Sequence, residues 1–181
     1  NIYHEHYNYW SLTSLVNFFN QFNAIIYKAE KINTHGGSIR IYISQNKKIK
    51  TDTSVKKFLK EEIEFGINKF STYENFAKKV NKIRENVIKN IKKIKENQQP
   101  LIGYGAPAKA TTSLNFFGIK DDIEFIVEDN KLKQGKFIPG VNIPIKDKKF
   151  IKDKKNTLIV MAWNFFKEIN NNNKNLSNNF I

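Results

Sequence analysis

"LIGYGAPAKATTSLNFFG", residues 101–118, decides the fold. Leu101 and Ile102 open an apolar run that predicts a buried strand over 101–105. A helix is expected over about 107–117, with Pro107 suited to its first turn. Between them, Gly103-Tyr104-Gly105-Ala106-Pro107-Ala108 satisfies the pattern G-x-G-x-x-A. The next apolar run, "IEFIVED" (123–129), predicts a second strand, with Glu128 at its end. Gly103 would permit a tight turn and Gly105 would let a phosphate approach the backbone. The helix N-terminus adds free N–H groups and the positive end of its dipole. A nucleotide or phosphate ligand follows as an expectation, NAD being one form of it, although Pro107 removes one donor.

"TLIVMAW" (157–163) predicts a third strand of this region. Strands alternating with helices give an α/β, Rossmann-like parallel sheet. The Asn-rich stretch "NNNNKNLSNN" (170–179) reads as a fraying helix or a loop, and the closing "FI" as the start of a last strand.

Upstream of 101 the pattern is helical. Val55, Phe58, Leu59 and Ile63 predict a helix over about 54–66 that Gly66 ends. Tyr73, Phe76, Val80, Ile83, Val87, Ile91 and Ile94 form the stripe of a long helix over about 71–97, whose lysines read as a solvated face. Near the start, Ser11 is a good N-cap for a helix over about 11–22. "AIIYKAEKI" (24–32) and "SIRIYI" (38–43) read as strands joined through "NTHGG" (33–37), whose glycine pair suits a tight connection.

The chain has 181 residues, 15 of them Phe, and no cysteine. That suffices for a packed core, removes disulfides and thiolate metal sites, and points to a reducing, cytoplasmic setting. No run of about 18 apolar residues predicts a membrane span. The net charge of +14 raises the question of nucleic acid. Yet arginine occurs only at Arg40 and Arg84, and the lysines are dispersed, so no nucleic-acid partner is expected. The chain begins at Asn1 in mid-motif and is expected to be a fragment of a longer one.

"YHEH" (3–6) contains two of the three histidines. It has three readings. His4 and His6 have ligand spacing for a strand, but no further ligands follow at a recognisable interval, and no metal is assigned. The residues can be satisfied polar groups on a loop. Or Glu5 can orient and charge His6 for acid/base work, with Tyr3 as a donor. "KLKQGKFIPG" (131–140) is a basic loop whose Lys131, Lys133 and Lys136 can reach an anion, or an ordinary surface turn.

Five stretches in order, "YHEHYNYWSLTSL", "THGGSIRIYI", "GYGAPAKATTSLNFFGI", "EDNKLKQGKFIPGVNIPI" and "MAWNFFKEI", resemble the C-terminal part of the S-adenosylmethionine-dependent sugar C-methyltransferases. The resemblance covers most of 1–169. It implies that residues 1–50 are the end of a methyltransferase domain, 51–98 a helical connector and 99–181 a Rossmann-like C-terminal domain. It implies a nucleotide-diphosphate sugar as partner and methylation of carbon beside a keto group. S-adenosylmethionine would be held mainly upstream of Asn1, and zinc by the parent chain only. His6 matches the family's base, with Glu5 and Tyr3 beside it. His35, Tyr104, Gly105, Ala106, Lys109 and Lys133 are expected to meet the substrate. Ala110 replaces a glycine of many relatives, and Lys131 and Ala162 replace prolines. No oligomeric state is implied.

Overall fold

The computed structural model describes residues 2–3, 5–34 and 37–181. It divides into two compact units, one over residues 5–79 and one over 80–181 with residues 2–3.

The first unit begins with α1 (Leu12–Asn20), capped by a reciprocal Ser11–Ser14 capping box. Strands β1 (Ile25–Ile32) and β2 (Ser38–Ser44) follow as an antiparallel pair with a bulge between Ile26 and Lys28. Helix α2 (Thr53–Phe65) starts at Asp52, whose side chain accepts the Ser54 N–H, and ends on Gly66 at φ 80°. Leu12, Ile26, Ala29 and Val55 form the core, flanked by Phe19, Ile41, Phe58 and Leu59. Glu62 of α2 ties this core to the start of α1. Its carboxylate accepts the Leu12 N–H at 2.6 Å and the Thr13 N–H at 2.8 Å. The helical period misplaces one residue here. Ile63, expected inward, is 67% exposed, because β1 covers a narrower stripe of α2 than the apolar pattern spans.

Helix α3 (Phe70–Glu96) runs from the first unit into the second. Only the C-terminal part of its stripe is covered. Ile91 is buried with Val87 and Ile88 beside it, whereas Tyr73, Phe76 and Ile83 are exposed.

The second unit is a sheet of five parallel strands: β3 (Leu101–Tyr104), β4 (Ile126–Val127), β5 (Ile145–Lys146), β6 (Thr157–Val160) and β7 (Asn179–Phe180). Their spatial order is β5-β4-β3-β6-β7. The chain starts in the middle, builds outward to one edge, then crosses to the other side at β6. Helix α4 (Ala108–Phe117) follows β3, and α5 (Phe166–Asn172) follows β6. Strand residues alternate between two cores. Leu101 and Ile126 pack with Ala110 and Leu114 of α4 and Ile91 of α3. Ile102, Tyr104, Val127 and Leu158 pack with Ile169 of α5. Burial on both faces is what makes these strands read as continuous apolar runs.

The second strand expected over 123–129 is reduced to two residues, since only Ile126 and Val127 find ladder partners on both sides. The run from 157 leaves the sheet at Val160, and Trp163–Phe165 form a 3₁₀ turn. The last strand at "FI" is present as β7, whereas β5 was not expected at all. The Asn-rich stretch is more than a loop. Asn173 and Ser177 are buried polar residues, and the Ser177 hydroxyl donates to the Asn156 carbonyl at 2.7 Å. No helix among the described residues is long and apolar enough to cross a membrane.

Candidate functional site

The order of the sheet reverses between β3 and β6. In open α/β sheets ligands bind at the carboxyl ends of the strands beside such a reversal. A crevice of about 460 Å³ opens there. Tyr104, Gly105 and Pro107 line it from β3 and its loop, Glu128, Asp129 and Lys133 from the chain after β4. Ala162, Phe165, Glu168 and Asn173 close the other side.

Neither glycine plays the role that its place in the pattern suggests. Gly103 lies within β3, and a Cβ there would stand 2.6 Å from Ile126 Cγ1, so it serves strand-to-strand packing rather than the turn. Gly105 makes the turn, at φ 85°. Its open face meets Ala162, whose Cβ would lie 3.0 Å from a Cβ at Gly105. Pro107 precedes α4 as its N-cap rather than sitting in the first turn.

Backbone donors of the loop are engaged inside the protein. The Gly105 N–H donates to the Val127 carbonyl at 2.8 Å. The Ala106 N–H donates to Glu128 Oε2 at 2.8 Å, while Oε1 of the same carboxylate accepts the Asn130 N–H at 3.0 Å. Lys133 closes the ring. Its Nζ donates to the Ala106 carbonyl at 2.9 Å and lies 3.6 Å from Glu128 Oε2.

Tyr104 crosses the floor of the crevice. Its hydroxyl donates to Asp129 Oδ2 at 2.9 Å and lies 3.2 Å from Asn173 Oδ1. Burial, and then the hydrogen bond to the Asp129 carboxylate, hold the phenol well above the usual tyrosine range. Lys148 Nζ lies 3.4 Å from the other oxygen of Asp129. Lys109 stands in the first turn of α4, with its ammonium 5.6 Å from the Trp163 ring centroid.

Of the expected substrate residues, Tyr104, Gly105 and Lys133 line one crevice, with Ala106 in the same loop. Lys109 lies in the adjoining hollow with Pro107, Ala162 and Trp163. His35 lies outside the described residues, as does His4. Glu5 and His6 are exposed on the segment leading into α1, and the His6 ring meets that of Tyr9 edge-on at 5.7 Å. They belong to the first unit, whereas Tyr3, half-buried, groups with the second. Asp129, Lys148, Phe165, Glu168 and Asn173 complete the crevice without having been singled out. Asp129 adjoins Glu128 and was within reach of the strand-end argument. Asn173 sits in an asparagine run that carries no positional signal.

The C-methyltransferase C-terminal domain family matches residues 33–180. The chain belongs to that family. It is also 30% identical over 181 residues to the C-methyltransferase NovU of Streptomyces niveus. That match takes in 98% of this chain and 43% of the relative, so the chain spans less than half the length of the protein it resembles. The family assignment thereby rests on residues from both units.

Proposed function

We propose that the chain is the C-terminal part of an S-adenosylmethionine-dependent C-methyltransferase acting on a nucleotide-linked keto-deoxysugar. The supporting observation is the crevice at the sheet reversal, in a chain that belongs to a C-methyltransferase domain family. On this reading the sugar nucleotide enters that crevice, and "YHEH" supplies the acid/base groups. Residues 1–50 end a methyltransferase domain, 51–98 connect it, and 99–181 form the C-terminal domain.

Among its described residues the first unit offers an antiparallel hairpin and helices, and on this reading the methyl donor is held mainly upstream of Asn1. No group of three or more His, Asp or Glu among the described residues fits a metal ion; this reading places zinc in the parent chain only. When bound, the donor supplies an electrophilic methyl group. The chain's own part is to move a proton. A keto group acidifies the hydrogen on the neighbouring carbon, and the His6 imidazole takes it. Glu5 holds the imidazolium that results, and the Tyr3 hydroxyl donates toward the developing enolate oxygen. The enolate carbon would take the methyl group as the donor's carbon–sulfur bond breaks and a neutral thioether leaves, while the proton stays on His6 until released to solvent.

Two measurements test this. Titration with a thymidine-diphosphate-linked 4-keto-deoxysugar should give saturable binding to the chain, and none at millimolar ligand would sink the crevice assignment. In the full-length parent, His6→Asn should lower kcat by on the order of 10²–10⁴-fold with little change in substrate binding, because proton removal is needed only on the way to the transition state. Solvent-deuterium exchange at the sugar carbon, measured without methyl donor, isolates that step. Exchange at the wild-type rate in His6→Asn would return "YHEH" to a structural role.

A further inference from the structure

We propose that Glu128 is an internal substitute for phosphate, which closes the "GYGAPA" loop to dinucleotides and other free diphosphates. By sequence the loop has the glycine pattern of a diphosphate cradle, with a nucleotide or phosphate as its expected ligand. In the structure two features of such a cradle, the loop N–H and the open glycine face, are already filled. The N–H after Gly105, on Ala106, is held by Glu128 Oε2 at 2.8 Å. Pro107, next in line, has no N–H at all. The bare face of Gly105, which in a cradle admits the phosphate, is covered by Ala162 at 3.0 Å from a would-be Cβ. A diphosphate on the loop would have to displace a charge-assisted hydrogen bond and then lie against the displaced carboxylate.

The charges around the crevice act in the same direction. Its lining holds three carboxylates (Glu128, Asp129, Glu168) against two ammonium groups (Lys133, Lys148), in a chain whose overall charge is +14. Both lysines face acids of the lining, Lys133 at 3.6 Å from Glu128 and Lys148 at 3.4 Å from Asp129. The Asp129 and Glu168 carboxylates and the exposed Phe165 ring suit a neutral, hydroxyl-bearing group better than an anion. On the sugar-nucleotide reading above, an uncharged ring of the ligand therefore occupies the crevice and its diphosphate lies outside the loop. Glu128 also stands where a dinucleotide enzyme keeps its ribose-binding acid. Here both carboxylate oxygens are spent on backbone N–H groups, so the same residue that would mark an NAD site prevents one.

The test uses inorganic pyrophosphate and NAD, titrated calorimetrically into the full chain. Wild type should bind both no tighter than millimolar. Glu128→Ala frees the Ala106 N–H and leaves Lys133 without its counter-charge, and should tighten pyrophosphate binding at least tenfold. Glu168→Ala removes the same charge from the same crevice while the loop stays shut, and should change pyrophosphate affinity by less than threefold. Equal gains in the two variants would make the effect general electrostatics and overturn the proposal, as would no gain in a cooperatively melting Glu128→Ala. If that variant does not fold, wild type still decides. Micromolar pyrophosphate binding with a shift of the Ala106 amide resonance overturns the proposal, and absence of binding with a slowly exchanging Ala106 amide supports it. Failure of a sugar nucleotide to bind wild type would count against the proposed function alone, since the pyrophosphate comparison is read without it.

Discussion

The two units bury their strands in different ways. In the second, the central strands are covered on both faces, so Leu101, Ile102, Ile126, Val127 and Leu158 are all nearly inaccessible. In the first, β1 and β2 form a two-stranded sheet on which α1 and α2 pack, and no residue of β2 is fully buried. Two strands alone are marginal in water, so the hairpin depends on its helices, whereas the parallel sheet carries its own cores. The difference teaches that similar apolar content, arranged with period two or as a continuous run, commits a segment to one covered face or to two.

Truncation of core leucines should sharpen this contrast most. Leu158 sits in a central strand and Leu12 at the start of α1, and both are fully buried. Leu→Ala in such settings costs roughly 2–5 kcal/mol, the spread reflecting how far the site collapses. Leu158 is clamped between β3 and β7, which cannot close in without breaking the ladder, so Leu158→Ala belongs at the upper end. Leu12 lies in a one-sided core of small extent, and Leu12→Ala belongs lower. Denaturant unfolding of the two variants measures the order, and a larger loss for Leu12→Ala would break the comparison.

That contrast also decides what was legible in the sequence. The alternation around Ile39 and Ile41 and the runs at 101, 123 and 157 marked β2, β3, β4 and β6. The glycine after α2 and the proline before α4 marked helix boundaries, because caps and turns are written in one or two residues. Edge strands were harder. β5 has two residues, and its position is set by pairing with β4 rather than by its own composition. The outward turn of Ile63 was invisible for a related reason, since a helical period reports which residues share a face and not how much of that face finds a partner. At the site, Tyr104, Gly105 and Lys133 were found by motif. Asn173 could not be, because what selects it among neighbouring asparagines is its distance from a tyrosine 69 residues away.

Gly103 offers a finer test of the double-sided sheet. An added Cβ would press on Ile126 Cγ1 at 2.6 Å, and Ile126 is fully buried with no room to retreat. Gly103→Ala should therefore cost roughly 1–3 kcal/mol by overpacking. Ile126→Ala alone should be destabilising through the cavity it leaves. Combined, the new methyl occupies part of that cavity, so the double variant should lose measurably less than the sum of the singles. Strict additivity would mean that Gly103 is required for some reason other than its contact with Ile126.

The smallest expected effect concerns Tyr104, where the buried core meets the crevice. Tyr104→Phe keeps the ring in its core and removes only the hydroxyl, so at neutral pH the loss should be about 1 kcal/mol, that of one hydrogen bond. The sign of its pH dependence follows from linkage. The phenol is held above its ordinary value of 10.0 by burial and by Asp129, so near that pH the unfolded chain gives up a proton that the native state keeps. Unfolding then releases a proton, and the stability due to the protonated, buried phenol is complete below pH 10 and falls as pH rises beyond it. Other tyrosines and the many lysines also titrate in that range, so the diagnostic quantity is the difference between wild type and Tyr104→Phe. Wild type should lose stability more steeply than the variant above pH 10, and the gap between them at neutral pH should shrink and then reverse. Parallel curves would show that the hydroxyl reaches solvent through the crevice, and that the boundary between core and site lies one residue deeper than Tyr104.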